Sequence, residues 1–329
     1  LPERPDDFAA WVEHVLKGDT AALARALDCV EDERAGTLAL QRELCAALAR
    51  ATPEAHAVVG FTGPPGAGKS TLAGALLRQW LGRGLGVGMT AIDPSSRRSG
   101  GALLGDRARL RLEPGERAFV RSMAARDRLG GLAPATRAAA LVLRAAFERT
   151  LVETVGVGQS EVDVGSVADL VVLVLQPGAG DTLQFMKAGI LEIPDVIVVH
   201  KWDLGDVAQR TLADLEGILA LLPRAPGQPQ PSVLGVSAQS GEGVVALTEQ
   251  IERETARLAQ AGELARRRRA ARATWGLELF ERRYGTLGIE RIGGRASARA
   301  RAGQHAADAE HTGLDVLQRL EVEAQLTPA

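Results

Sequence analysis

Cysteine is nearly absent from this 329-residue chain. Only Cys29 and Cys45 occur, apart in an Ala/Leu-rich stretch, with neither metal-ligand spacing nor a disulfide pattern. That excludes a disulfide scaffold and a cysteine metal centre, and it fits a reducing cytosol. An excess of one charge is missing as well: 39 basic against 41 acidic residues leave a net charge of −2, which argues against a nucleic-acid partner. No apolar run approaches the roughly 18 residues needed to span a bilayer, and the N-terminus carries no signal-peptide pattern, so a membrane is not expected as a partner. The expected location is cytoplasmic. Lysine is the scarcest basic residue, present only as Lys17, Lys69, Lys187 and Lys201. Arginine is a planar, always-charged fork and lysine a compact point charge on a flexible stem. In a chain this biased, the lysines mark positions where arginine would not serve.

What the chain does contain is apolar residues, 46% of the total, in two different rhythms. Residues 7–50 follow a helical period, with Phe8, Trp11, Val12, Val15 and Leu16 before a break at Gly18-Asp19 and Leu23, Ala24, Leu27 and Val30 after it. From Ala57 the rhythm changes to short runs rich in Val, Ile and Leu at 57–61, 87–92, 118–120, 151–152, 170–175, 196–199 and 233–236, with helical stretches between them at 71–81, 135–147, 207–222 and 244–258. Near-continuous apolar strands alternating with helices predict an α/β fold with a doubly wound, mostly parallel sheet. Beyond Gln260 come the run Arg266 to Arg269, an amphipathic stretch holding Trp275, Phe280 and Tyr284, an Arg/Ala/Gly-rich segment and a last apolar cluster from Leu314 to Leu320. The arginine run reads as a solvated helix face in preference to an anion-binding patch. The expected division is a helical subdomain over 1–53, an α/β domain over 54–260, and a helical region over 261–329 too small for a core of its own.

The stretch that organises the chain runs from Ala57 to Leu72. Its segment Gly63-Pro64-Pro65-Gly66-Ala67-Gly68-Lys69-Ser70 fits G-x-x-x-x-G-K-[ST] between a predicted strand and a predicted helix that takes in Thr71. A polyphosphate needs many convergent backbone N–H groups, and only a loop without bulky Cβ atoms wraps that closely. The helix N-terminus adds its dipole, Lys69 reaches the β- and γ-phosphates, and the Ser70 hydroxyl suits Mg²⁺. This is the pattern of a nucleoside triphosphate site.

His200-Lys201-Trp202-Asp203, directly after the strand 196–199, matches N-K-x-D at three positions. A carboxylate at Asp203 can accept two hydrogen bonds from the guanine ring N–H and exocyclic amine, which adenine does not offer, and the Lys201 stem can lie over the base. Ser237-Ala238-Gln239, after the strand 233–236, completes a base loop, so GTP and GDP are expected over adenine nucleotides. His200 stands where asparagine is usual. An imidazole N–H can donate one of the bonds that tie this loop to the phosphate loop but cannot copy the whole amide, so the substitution is expected to bear on affinity more than on base choice. The third signal is Glu153-Thr154-Val155-Gly156-Val157-Gly158-Gln159-Ser160-Glu161. It places an acid at a strand end facing a Mg²⁺ shell and a glycine N–H at Gly156 facing the γ-phosphate, the arrangement of a loop that senses the triphosphate. Upstream, Asp93 and Asp106 bracket a Gly-rich segment able to close over the nucleotide; Asp93 before Pro94-Ser95-Ser96 also reads as a plain turn former.

These stretches, GPPGAGKST, IDPSSRRSGGALLGD, VETVGVGQSE and PGAGDTLQFMKAGILE, together resemble the MeaB/ArgK-type G proteins over about residues 57–250. That family consists of GTPase chaperones of adenosylcobalamin-dependent acyl-CoA mutases. The resemblance implies that Asp93, Asp106 and Glu153 serve magnesium and hydrolysis. It implies that residues 178–188 form a third switch whose active side chains are Gln184 and Lys187. It implies a homodimer through the C-terminal region, a B12-dependent acyl-CoA mutase as partner, and a cobalamin adenosyltransferase in the same pathway. Adenosylcobalamin is then held by the partner and not by this chain. His200, Thr182 and Phe185-Met186 depart from the commoner residues of that pattern. Two other readings share the phosphate loop: a nickel-delivery GTPase, against which the scattered His and Cys speak, and a small-molecule or protein kinase, against which Asp203 speaks.

Overall fold

The computed structural model describes residues 4–34, 36–93, 112, 115–124, 134–154, 163–178, 190–222, 229–307 and 312–326. By its contacts the chain divides into two compact units: a helical one made of Leu1–His56, Ala133–Glu148 and Ala259–Ala329, and an α/β one made of Ala57–Leu132 and Arg149–Leu258.

The α/β unit is built on seven parallel strands, β1 (Ala57–Thr62), β2 (Val87–Asp93), β3 (Ala118–Ala124), β4 (Arg149–Glu153), β5 (Leu170–Leu175), β6 (Val196–His200) and β7 (Ser232–Val236). Among the described residues they stand in the order β3-β2-β4-β1-β5-β6-β7. Every strand falls on one of the seven apolar runs predicted from sequence. Strands β1, β5 and β6 are buried at every residue, as a sheet covered on both faces requires. Two aspartates set where strands begin: Asp169 Oδ2 accepts from Val58 N–H and Asp195 Oδ2 from Val171 N–H, each at 2.9 Å. Helices α4 (Lys69–Gly82), α6 (Asp206–Leu221) and α7 (Val244–Gln260) belong to this unit. Glu252 of α7 ties two of its elements together, accepting from Trp80 Nε1 of α4 and Arg149 Nε of β4, both at 2.9 Å.

The topology places the site. Strand β1 lies between β4 and β5, so the chain leaves the sheet centre in opposite directions on its two sides, and a crevice opens at the carboxyl ends of the strands. Register carries Glu153 beside Phe61 and beside Ala91, next to the start of the phosphate loop.

The helical unit holds α1 (Phe8–Leu16), α2 (Thr20–Glu31), α3 (Leu38–Ala51), α5 (Pro134–Ala146), α8 (Glu263–Arg291), α9 (Gly294–His305) and α10 (Gly313–Glu323). The break expected at Gly18-Asp19 is present, and Asp19 caps α2 by accepting from Ala22 N–H at 2.8 Å. The C-terminal helices pack within this chain on the N-terminal ones: Arg282 pairs with Glu33 at 3.0 Å, and Arg137 of α5 pairs with Glu278 of α8. The arginine run is in part the solvated face expected of it, with Arg266 and Arg269 exposed and Arg267 and Arg268 half-buried. Arg266 and Arg267 pair with Glu263, while Arg268 donates to Glu54 O and His56 O and Arg269 to Gly303 O. Two of these four arginines therefore fasten chain segments far apart in sequence. No helix among the described residues is long and apolar enough to cross a membrane.

Candidate functional site

The phosphate loop leaves β1 at Thr62 and enters α4 at Lys69. Gly63 has φ +136° and a Cβ built there would stand 2.0 Å from Val174 O; Gly68 has φ +92° and its Cβ would stand 2.4 Å from His200 Nδ1. The first neighbour is backbone and cannot give way, so the loop's opening glycine is fixed by sterics twice over. Gly63→Ala is therefore expected to lower stability by about 2–4 kcal/mol, joining left-handed strain to an overpacked backbone contact. Gly82→Ala, with nothing within 4 Å of its Cβ at the end of α4, should leave the melting temperature unchanged or raise it. Thermal unfolding of the two variants beside the parent checks the contrast.

Lys69 is buried, and its ammonium donates to the loop's own carbonyls, Gly63 O at 2.7 Å and Pro64 O at 3.0 Å. Those bonds hold the Lys69 ammonium against the backbone of the loop. One residue on, Ser70 Oγ donates to Glu153 Oε1 at 2.5 Å. Glu153 is the last residue of β4 and is buried. Beside it Thr154 N–H and Oγ1 both bond Phe61 O, at 3.0 and 3.2 Å, which locks the end of β4 onto β1. A hydroxyl and a carboxylate in contact are hard oxygen donors of the kind Mg²⁺ takes, so the pair fits that ion. Asp93 is described by its backbone, as the last residue of β2.

The His200–Asp203 segment begins at the end of β6. Lys201 takes a left-handed φ of 58°, and its Nζ donates to Gly66 O and to Gln176 Oε1, both at 3.0 Å. Gln176, directly after β5, carries no motif and was not anticipated; only the lysine that finds it gives it away. His200 differs from its sequence reading. Its Nδ1–H donates to Ala67 O at 2.7 Å, and its Nε2 accepts from Ala238 N–H at 3.3 Å, so it makes two bonds where one was expected. The reason is register: His200 stands opposite Val236, which brings Ala238 within reach of the far side of the ring. Asp203 is exposed, and a hydrogen bond from the Ser237 hydroxyl, first among the causes, holds its carboxyl below the ordinary carboxylate range. It therefore stays an acceptor at neutral pH. Gln239 follows in the loop after β7, while Pro65 and Thr71 lie in the phosphate loop and the first turn of α4.

The structure thus gathers Lys69, Ser70, Glu153, His200 and Lys201 by direct bonds, with Asp203 and Ser237 beside them. Asp106, Gly156, Gln184 and Lys187 lie outside the described residues. Lys17, the remaining lysine, forms an exposed ion pair with Glu13. Both cysteines are free and buried, and burial pushes the Cys29 thiol up to about 11.

A parallel sheet with G-x-x-x-x-G-K-S between β1 and α4, and a K-x-D segment bonded onto that loop, defines a P-loop GTPase. The chain belongs to the methylmalonyl-CoA mutase-associated GTPase MeaB family, which matches it over residues 23–286. It is 42% identical over 269 residues to a putative GTPase of Pyrococcus horikoshii, covering 78% of this chain and 81% of that one. To the mitochondrial methylmalonic aciduria type A homolog of Mus musculus it is 35% identical over 283 residues, covering 81% of this chain and 68% of that one. A solved structure described as an LAO/AO transport system kinase superposes with a TM-score of 0.68 at 28% identity, over 86% of this chain and 88% of that one.

Proposed function

We propose that this GTPase uses magnesium-bound GTP to gate the loading of adenosylcobalamin onto a B12-dependent acyl-CoA mutase, and to protect or reactivate that mutase. The observation that carries the nucleotide half is the pair of bonds from His200 and Lys201 to Ala67 O and Gly66 O, which join a guanine-reading carboxylate loop to a phosphate loop. The mutase half is supported by the family to which the chain belongs and by the name of its mouse relative.

In this reading the backbone from Gly63 to Thr71 wraps the phosphates and Lys69 neutralises the β/γ charge. Ser70 and Glu153, with Asp93 and Asp106, hold Mg²⁺, which when bound draws charge from the phosphates and orders the leaving group. Gly156 meets the γ-phosphate, and Asp203 with Ser237, Ala238 and Gln239 reads the base. The chain works in the cytoplasm as a homodimer through its C-terminal helices, in a pathway with a cobalamin adenosyltransferase. Adenosylcobalamin stays with the mutase.

The phosphate loop contains no arginine able to act in cis on a developing charge. Intrinsic turnover is therefore slow, and the partner switches it on through Gln184 and Lys187 of residues 178–188. A cation at the transition state is worth about 10³–10⁵ in rate in GTPases that use one. The test follows phosphate release from GTP and ATP with and without an adenosylcobalamin-dependent acyl-CoA mutase, for the parent and for Lys187→Ala. Expected are turnover of GTP over ATP, stimulation by the mutase, and loss of the stimulated increment in the variant with GTP affinity retained. ATP turnover with transfer to a protein or small-molecule acceptor would favour a kinase and end this proposal.

A further inference from the structure

The residue that the sequence marked as a departure has the most closely specified surroundings in the site. His200 is 5% exposed, and each ring nitrogen has one bond of fixed direction: Nδ1 to a carbonyl oxygen, Nε2 to an amide N–H. A carbonyl only accepts and an amide N–H only donates, so the ring is the neutral tautomer with its proton on Nδ1. Donor and acceptor point from opposite sides of one rigid plane, which makes the imidazole a strut between Ala67 of the phosphate loop and Ala238 of the base loop. Gly68 is trimmed to fit it, since any Cβ there would stand 2.4 Å from Nδ1.

We propose that His200 is the positioning residue of the base loop: as a neutral imidazole it braces Ser237-Ala238 against the phosphate loop, and taking up a second proton releases that brace, so that guanine-nucleotide affinity becomes proton-linked. The inference rests on the nucleotide-site reading given above and adds to it a dependence that an asparagine, which does not titrate, would lack. Protonation turns Nε2 into a donor aimed at the Ala238 N–H donor. The bond is lost and two donors face each other across a partly buried contact. The charged groups around the ring come from each neighbouring element. Lys69 follows the phosphate loop, Lys201 and Asp203 lie on the histidine's own segment, and the loop after β7 contributes Ser237, Ala238 and Gln239 with no charge before Glu242.

Burial holds the His200 imidazolium in disfavour, and Lys201 acts in the same direction; the Ala67 bond and Asp203 oppose them with less effect, so the group titrates below the ordinary 6.5. The sign follows. A histidine whose folded pKa is depressed contributes its full stability above the unfolded value and loses it as pH falls through the folded one. For binding the competition is between nucleotide, which needs the brace, and the proton that breaks it. Affinity is therefore flat above pH 6.5, changing by less than about twofold. Below that pH it weakens as the free protein takes up the proton, by at most about tenfold per pH unit.

The test measures binding of a fluorescent GDP analogue at pH 8.0, 6.5 and 5.0 for the parent, His200→Asn and His200→Ala, with circular dichroism at each pH. The parent is expected to bind equally at pH 8.0 and 6.5 and to lose affinity as pH falls from 6.5 to 5.0, by at most about tenfold per pH unit. His200→Asn, whose amide offers a donor and an acceptor but does not titrate, should change little in affinity between pH 8.0 and 5.0. His200→Ala should bind weakly at every pH. Should that variant not fold, the nitrogen-15 spectrum of the parent, assigned to His200 by its absence in His200→Asn, replaces it: an Nδ1–H tautomer at pH 8.0 supports the brace and an Nε2–H tautomer overturns it. Equal pH slopes in parent and His200→Asn overturn the proposal while leaving the nucleotide site standing. A parent that binds no guanine nucleotide even at pH 8.0 removes both.

Discussion

Replacing Lys69 by alanine should abolish GTP turnover and severely weaken GTP binding, with a loss in rate on the order of 10²–10³ or greater. The residue is buried, and its ammonium is bonded to the loop's own backbone. Its partners, Gly63 O and Pro64 O, are loop carbonyls, so the loop proposed to receive the phosphates also positions the charge proposed to meet them. Without it the carbonyls lose a donor and the β/γ charge loses its counterion. Lys69→Arg should fail nearly as badly, because a planar fork cannot follow the path of a four-carbon stem between two carbonyls in a glycine-lined loop. That outcome would give physical content to the scarcity of lysine in this chain. Phosphate release and fluorescent-nucleotide binding read the effect, and circular dichroism checks that the sheet is intact. Turnover within tenfold of the parent in Lys69→Ala would contradict the reading of the loop.

The strands and the phosphate loop were legible because each carries its own local evidence. A fully buried parallel strand must be a continuous run of Val, Ile and Leu, and the loop's glycines and lysine keep fixed spacing whatever surrounds them. What could not be read depends on what folding brings near. The second bond of His200 exists because β6 and β7 pair with His200 opposite Val236, a fact of register and not of sequence. Gln176 sits in a loop with no motif and matters only because the Lys201 stem reaches it. Helix α9 escaped for a different reason. Its sequence is Arg, Ala and Gly with little apolar rhythm, and its buried face is made of Ala298 and Ala302, continued by Ala306 just past its end, small residues that pack closely without a strong periodic signal. In the arginine run the solvated face is legible from charge and the bonds to distant carbonyls are not, because guanidinium groups also donate to backbone oxygens. Arg268 and Arg269 use theirs that way.

Base choice should turn on one oxygen of Asp203. Asp203→Asn is expected to lose its preference for GTP by on the order of 10²-fold or more and to take xanthosine triphosphate in its place. The carboxylate offers acceptors only, which suits the guanine N1–H and exocyclic amine together. An exposed aspartate is ionised at neutral pH, and the hydrogen bond from the Ser237 hydroxyl lowers its carboxyl further still, so both oxygens are acceptors there. An amide keeps one acceptor and puts an NH₂ where the second stood. That NH₂ opposes the guanine amine, donor against donor, but meets the xanthine carbonyl oxygen as a proper acceptor. The brace from His200 Nε2 to Ala238 N–H is untouched by the change, so the loop should stay in place and the variant should bind nucleotide well, of a different kind. Competition of GTP, ATP and xanthosine triphosphate against a fluorescent guanine analogue in the parent, and against a fluorescent xanthine analogue in the variant, measures the exchange. A variant that still ranks GTP first would mean that the base is read elsewhere, and weak binding of all three would mean that Asp203 holds the loop as well as reading the base.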